Sequence, residues 1–481
     1  MDRALVAELR SIVGDRGLVA DRARLFPYEA DGLAMLHTRP ELVLLPRDTA
    51  QTARCMQVLH RAGVPVVYRG AGTGLSGGAT PVAGGVLVAT ARMRDLLEID
   101  AANRFARVQA GVVNVDLTRA CANRELFYAP DPSSQQACTI GGNVGENSGG
   151  PHCLKHGATA RHVLGLVIVT HDGEVLDLSE PRVDPAGYDL VGLFVGSEGM
   201  FGIATEVTVR LLPVPEVTET LLAIFPDLDG ACDSVSEIIA ARHEPSALEI
   251  LDQLTIEAVE DSIFAAGYPR DARAVLLVDV EGSAPEVAAT MGAILEIVNR
   301  RGALETRYAR SDEERRRLWA GRKGAFGAMG RVAPDLYVSD VVVPRTRLRE
   351  MVRYSTEVAA ELGLKIATVF HAGDGNLHPN ICYDRRDGDE VRRVLEAGRR
   401  IMTRCVEVGG ALTGEHGVGL EKLEGMERLF GEDDLRAMCR TRDAWDPERR
   451  LNPGKLIPTH ACLETRQALA ARPVAAAERR P

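Results

Sequence analysis

RGAGTGLSGGA, residues 69–79, follows the apolar run VPVVY at 64–68 and decides how the first half of the chain folds. Gly72, Gly74 and Gly77 carry the G-x-G-x-x-G spacing of a dinucleotide loop, a weak signal by itself. A Rossmann loop must open a helix whose N-terminus holds the pyrophosphate. Here Pro81, Gly84 and Gly85 follow, and then the strand-like run GVLVAT, so no helix fits between 78 and 85. The Rossmann reading fails. What remains is a loop whose successive N–H groups can form an anion-binding nest. Glycine lets backbone approach phosphate closely, and a plain turn does not need the five glycines found within 70–78.

Outward from this loop the pattern alternates between strand and helix. Upstream lie an amphipathic helix from the first residues, a strand at 41–45, and a helix capped by Asp48 that runs to 61. Downstream, strands are expected at 85–90, 105–109, 163–170 and 174–178, and LLPVP at 211–215 ends the region like a linker. From 217 the texture becomes strand, helix, strand, twice over, which predicts an α+β domain with helices over a sheet. A strand at 336–343, a helix at 348–362, a strand at 365–370 and a helix at 389–408 continue it, and 421–442 reads as helix. The tail from 459 to 481 has no periodic apolar face and is expected to be flexible.

Composition narrows the function class. The 481 residues carry a formal charge of −11 with 4% aromatics, which argues against nucleic acid as a partner. No apolar run approaches the ~20 residues that span a bilayer, and the first residues lack the uninterrupted apolar core of a signal peptide. The expected location is cytoplasmic, with membrane contact only through a partner. Nine cysteines include no C-x-x-C pair, so neither a zinc ribbon nor an iron–sulfur cluster is written here.

Three further segments carry chemistry. PDPSSQQACTIGGNVGENSGG, residues 130–150, mixes glycines with small polar side chains and suits a loop wrapped round a polar ligand. GSEGMFGI, residues 196–203, is an ordinary turn taken alone. HAGDGNLHPN, residues 371–380, puts His371 and His378 on either side of a tight turn, and GEH follows at 414–416. Two imidazoles and a carboxylate suit Zn, Mn or Fe(II) with room for a substrate oxygen.

Together with LWAGRKGAF at 318–326 and LNPGKL at 451–456, these motifs resemble the FAD-linked oxidase family, whose flavin domain is of the vanillyl-alcohol-oxidase (PCMH) type. The likeness spans about 41 to 458 and is greatest to the branch that oxidises glycolate, with D-lactate and D-2-hydroxyglutarate dehydrogenases as more distant kin. It implies an α+β fold: an N-terminal helical segment (1–37), a two-subdomain PCMH-type FAD-binding domain (38–215), an α+β cap of ferredoxin-like character (216–420), and a C-terminal helical segment returning to the flavin (421–458). It implies non-covalent FAD held by Arg69, Gly70, Ala71, Gly72, Thr73, Gly74, Leu75 and Ser76 at the pyrophosphate. Pro130, Asp131, Ser134, Gly141, Gly142, Asn143, Asn147, Gly150, Gly199, Gly202 and Ile203 lie along the cofactor, and Asn452 closes on the flavin. The same likeness gives a divalent metal on His371, His378 and Glu415, His416 as base, Asn380 as a substrate contact, and Arg322 on the substrate carboxylate.

The implied reaction oxidises a small 2-hydroxy acid. A histidine suits removal of the hydroxyl proton near neutral pH, and a guanidinium offers a carboxylate two hydrogen bonds. Relatives acting on hydroxyglutarate align a lysine near Val338, which cannot pair with a second carboxylate, so glycolate, then D-lactate, fits better. The likeness also implies a second flavin-type subunit and an iron–sulfur subunit as partners. Three rivals stand beside this reading: a metal-dependent hydrolase, which leaves the glycine-rich first half without a role, a non-catalytic electron-relay flavoprotein, and a true oxidase that reduces oxygen.

Overall fold

A computed structural model describes residues 1–180 and 187–458; the expected flexible tail at 459–481 lies outside the described residues. The described residues form two compact units, one from Met1–Gly149, Ala158–Val214 and residues 415–458, the other from Gly150–Gly157 and Pro215–Gly414.

The first unit holds two main sheets. Leu18–Val19, Leu42–Leu44, Val86–Ala89 and Val66–Arg69 make a four-stranded sheet in that order. Val66–Arg69 and Val86–Ala89 pair in parallel, and their connection is the glycine loop with no helix in it, as the sequence requires. The second sheet orders Leu96–Asp100, Phe105–Gln109, Ile203–Arg210, Val163–Val169 and Val175–Leu178, all antiparallel. Asp48 Oδ1 accepts from Gln51 N–H at 2.7 Å and starts the helix Thr49–Arg61. The apolar stripe of that helix, Cys55, Met56 and Leu59, is buried with Leu44, Val66 and Val88 of one sheet and Val169 and Ile203 of the other. The returning C-terminal chain joins this core, where Leu451 bridges to Val66 and Trp445 stacks on Phe201 at 5.4 Å.

Three local readings differ from the structure. Residues 140–146 of the expected open loop form the helix Ile140–Glu146, because Thr139 caps it at Gly142 N–H. The expected strand at 336–343 is two pieces, Asp335–Val338 and Val341–Val342, broken by buried Ser339 and Asp340. The expected helix at 421–442 is the short helix Met426–Leu429 and the helix Glu432–Trp445, parted at Gly431.

In the second unit, Glu305–Tyr308, Val217–Phe225, Ala274–Gly282 and Ala247–Asp252 lie side by side in that order. In chain order that is fourth, first, third, second, with the helices Leu228–Ala240 and Ala284–Arg300 between strands, the ferredoxin-like arrangement expected. Lys365–His371 extends the sheet beside Ala247–Asp252, and Pro379–Tyr383 pairs with both Lys365–His371 and Asp335–Val338. Ala247, Leu251, Val275 and Leu277 of the sheet pack in one core cluster with Leu318, Trp319 and Ala325 of the helix Asp312–Ala328. Glu249 and Asp279 share that face by strand alternation. The unit ends at Gly414 rather than at 420: Gly414 N–H is held by Asp340, whereas Val418 and Gly419 are held by Glu198 of the first unit.

Candidate functional site

The first unit gathers most of the expected cofactor residues around the 69–79 loop. Arg69 ends its strand with a buried guanidinium that donates to Ala30 O at 2.7 Å. Gly72 turns the loop at φ +74°, and a Cβ there would sit 2.0 Å from Arg69 Nη2. At Gly70 a Cβ would lie 2.5 Å from Thr139 Oγ1 and 3.2 Å from Gly142 Cα, so this loop and the helix Ile140–Glu146 touch backbone to backbone. A Cβ at Gly74 would meet only open space. Gly199 adopts φ +75° against Tyr68 and Asn452, and Gly202 has φ +148°. Asn452 Nδ2 donates to Gly78 O at 3.0 Å and Glu198 O at 2.5 Å, which ties the C-terminal return to both glycine turns.

Several polar atoms in this unit are buried with nothing in the protein to bond: Ser76 Oγ, Ser197 Oγ, Asn452 Oδ1 and Glu146 Oε2. Buried polar atoms are nearly always paired, so orphans such as Ser76 Oγ within the loop and Asn452 Oδ1, whose Nδ2 rests on Gly78 O, fit a polar ligand. Two expected contacts are instead used by the fold. Asn143 Oδ1 accepts from Asn114 Nδ2 at 3.0 Å, and Asn147 Oδ1 accepts from Ala160 N–H at 2.8 Å. Pro130 contributes its carbonyl to Asn114 Nδ2. Gly150 belongs to the second unit.

Beneath the cradle lies a charge cluster that sequence reading missed. Glu198 accepts from Val418 N–H at 2.7 Å and Gly419 N–H at 2.8 Å. Lys455 Nζ donates to Gly78 O and Thr80 O, both at 2.6 Å. Burial, and then the neighbouring Glu198, hold the Glu146 carboxyl well above its ordinary range. Burial also raises Glu198 and Asp31, and pulls the Lys455 ammonium down to about 8. His416 Nε2 lies 4.0 Å from Glu415 Oε1 in the same unit.

The second unit brings together His371, His378, Arg322 and Asn380. The hairpin between Lys365–His371 and Pro379–Tyr383 sets the two imidazoles edge to face with centroids 5.1 Å apart. His371 Nδ1 lies 2.9 and 3.0 Å from the two oxygens of Glu249, a fully buried carboxylate in the run ALEIL. Arg322, also buried, pairs with the same carboxylate through Nε at 2.6 Å and Nη2 at 2.5 Å. The expected open fork is therefore half used. Asn380 Nδ2 donates to Ala367 O and His378 O. Asp340 accepts from Thr413 Oγ1 at 2.6 Å and Gly414 N–H at 3.1 Å, and lies 3.9 Å from His378 Nδ1. His152 and His156, the histidines of the 150–157 segment, face Asp279 and Glu281, the latter at 2.8 Å. Glu249 and Asp340 left one signal in the sequence, an acid interrupting an apolar run.

Two family models match the chain. Residues 40–179 match the family described as FAD binding domain, and residues 214–456 match FAD linked oxidases, C-terminal domain. Glycolate oxidase subunit GlcD of Escherichia coli (strain K12) is 46% identical over 96% of this chain and 92% of its own length. D-lactate dehydrogenase of Anaerostipes hadrus is 30% identical over 94% of this chain and 97% of its own. Among solved structures, p-cresol methylhydroxylase superposes with a TM-score of 0.80 at 16% identity, covering 94% of this chain and 96% of that one, a likeness of fold. With both family matches, together covering most of the chain, and a relative 46% identical over 96% of it, the chain belongs to the FAD-linked oxidases and is an FAD-dependent oxidoreductase.

Proposed function

We propose that this chain is a dehydrogenase for a small 2-hydroxy acid, glycolate first and D-lactate next, which it converts to the 2-oxo acid. The observation that carries this reading is the cluster of His371, His378, Arg322 and Asn380 in one unit of a chain whose other unit is an FAD-binding domain. FAD when bound supplies the acceptor for the hydride that leaves the α-carbon. Ser76 Oγ, Asn452 Oδ1 and backbone N–H groups of the 70–78 loop are the groups that would hold it. His371, His378 and Glu415 would hold a divalent metal, a donor set that suits Zn, Mn or Fe(II) and supplies Lewis acidity at a hydroxyl oxygen.

The chain's own residues then divide the work. His416 takes the hydroxyl proton as general base. Arg322 presents Nη1 to the substrate carboxylate, since Nε and Nη2 are fixed on Glu249. Asn380 has its N–H donors on backbone carbonyls and offers Oδ1 as an acceptor to the substrate. Val338, buried opposite Asn380 in the sheet, gives a second carboxylate no partner, which favours a short monocarboxylate. The hydrolase reading leaves the FAD-binding unit without a role.

The electron acceptor is the remaining part of the proposal. The C-x-x-C pattern of an iron–sulfur site is absent from the sequence, and the Escherichia coli relative is named a subunit. A second flavin-type subunit and an iron–sulfur subunit are the partners proposed. Among the described residues no helix is long and apolar enough to cross a membrane, so a cytoplasmic chain that meets the membrane through such a partner is the location proposed.

The test is anaerobic mixing of the metal-replete protein with glycolate, D-lactate, L-lactate and D-2-hydroxyglutarate, following flavin absorbance. Bleaching by glycolate or D-lactate, slowed 10²-fold or more in His416→Ala as loss of a general base predicts (~10²–10⁴), supports the reading. Bleaching by none of the four acids would sink it. Full-rate bleaching in His416→Ala would remove His416 from the role of base.

A further inference from the structure

Glu249 has no chemical step in the reaction as set out above, yet it is fully buried and bonded to two proposed site residues. It stands in the middle of the strand Ala247–Asp252, between Leu248 and Ile250, with no solvent exposure. Both of its oxygens lie within 3.0 Å of His371 Nδ1, and Oε2 also takes Arg322 Nε at 2.6 Å. A buried carboxylate that served only to neutralise Arg322 would not need its second oxygen on an imidazole nitrogen.

The contact settles the tautomer. An unprotonated Nδ1 would set its lone pair against a carboxylate, whereas Nδ1–H donates to it in a charge-assisted hydrogen bond. The approach of Arg322 Nη2 to Nδ1 at 3.3 Å is then a packing contact, because both atoms carry hydrogen. With Nδ1 protonated, the lone pair of His371 resides on Nε2. A carboxylate on the far nitrogen also orients an imidazole and raises its basicity as a ligand. The same carboxylate fixes two nitrogens of Arg322 and leaves Nη1 as the one without a hydrogen bond among the described residues.

We infer that Glu249 is a positioning residue that commits His371 Nε2 to the metal and aims Arg322 Nη1 at the substrate carboxylate, so that metal affinity and substrate affinity share one buried group. This rests on the metal and substrate reading proposed above. Glutamine keeps the volume of Glu249 but brings one acceptor oxygen and one N–H₂ group. It must turn donor hydrogens toward either His371 or Arg322.

The experiment titrates the full-length, FAD-loaded protein with Mn²⁺, following the free ion by electron paramagnetic resonance with Zn²⁺ as competitor. Glu249→Gln should retain its flavin and bind Mn²⁺ about 10–100-fold more weakly, the range found when the partner of a ligating histidine is removed. It should also raise KM for glycolate more than it lowers kcat, and Glu249→Asp should recover part of both losses. Mn²⁺ affinity within twofold of wild type in Glu249→Gln overturns the proposal. Wild-type protein that binds neither ion, or binds unchanged in His378→Ala, fails the metal reading instead, and the proposal falls with it. If Glu249→Gln cannot be obtained with flavin, ¹⁵N spectra of histidine-labelled wild-type protein loaded with Zn²⁺ decide. Protonated Nδ1 with metal on Nε2 at His371 supports the inference, and metal on Nδ1 overturns it.

Discussion

The candidate sites of the two units are built by opposite means. The first makes its site from what is missing: at Gly70, Gly72, Gly77, Gly141, Gly142 and Gly199 an added Cβ would press on neighbouring atoms. The second makes its site from what is buried: Glu249, Arg322, Asp340 and His371 are charged or polar groups placed where strands and helices bury them almost completely. A site built from absent side chains fails when bulk is added. A site built from buried charge fails when an acceptor is removed, even if shape is kept. Each unit is therefore vulnerable to a different kind of substitution.

The largest effect is expected at Asp340. Its carboxylate accepts from Thr413 Oγ1 and Gly414 N–H, the residues directly before Glu415 and His416. Asp340→Ala leaves both donors without that acceptor, at ~1–3 kcal/mol for each buried group left unsatisfied. Chemical denaturation should show a loss of about 3 kcal/mol. Displacing His416, the proposed base, by an ångström would cost on the order of 10²-fold in turnover, so the bleaching rate should fall by about that factor in protein that still holds flavin. Unchanged stability and rate in Asp340→Ala would show that buried charge is not what positions this turn.

The same contrast decides what was legible from sequence. Glycine clusters announce themselves: five glycines within 70–78 followed by Pro81 exclude a helix, and the parallel strands Val66–Arg69 and Val86–Ala89 are joined without one. The alternation of strand and helix from 217 announced an α+β unit with helices over a sheet, while the ferredoxin-like strand order followed only from the family likeness. The acids were not legible. Glu249 in ALEIL reads as a strand residue turned to solvent until Lys365–His371 pairs beside it and the helix Asp312–Ala328 covers it. Arg322 in RLWAGRK reads as a helix-surface cation for the same reason. Glu198 was hidden inside GSEGMFGI, where the glycines drew the attention, although its oxygens hold Val418 and Gly419 some 220 residues away. Contacts of that separation leave no local trace in a sequence.

A smaller and different effect should follow from Gly72→Ala. The position has φ +74°, and an L residue there costs about 1–2 kcal/mol. The new methyl group would also press on Arg69, whose guanidinium is held on Ala30 O and has little room to yield. FAD affinity should drop about tenfold, the equivalent of ~1.4 kcal/mol. Turnover per bound flavin should stay near wild type, since no charged group of either unit is altered. Dialysis against FAD with absorbance readout separates the two quantities. A fall in turnover per flavin as large as that of Asp340→Ala would erase the distinction between the two kinds of site.

The smallest effect probes the one place where the first unit also uses buried charge. Lys455 is almost wholly buried with both Nζ bonds on carbonyls, and it faces Asp31, Glu146, Glu198 and Arg69. Burial is the main cause that lowers its pKa from 10.5 to about 8, against the opposing pull of the three acids. The unfolded chain therefore binds this proton more tightly than the folded one. The cost is fully present below about pH 8 and is relieved as pH rises from there toward 10.5. Between pH 7 and 9 the relief amounts to about 1 kcal/mol, from a shift valued at ~1.4 kcal/mol per unit. Denaturation of the wild-type protein across that window should show the rise, and Lys455→Met should lack it while other titrations remain. If the rise persists in Lys455→Met, the ammonium is not its source; nor are Asp31, Glu146 and Glu198, whose raised pKa values make stability fall as pH rises.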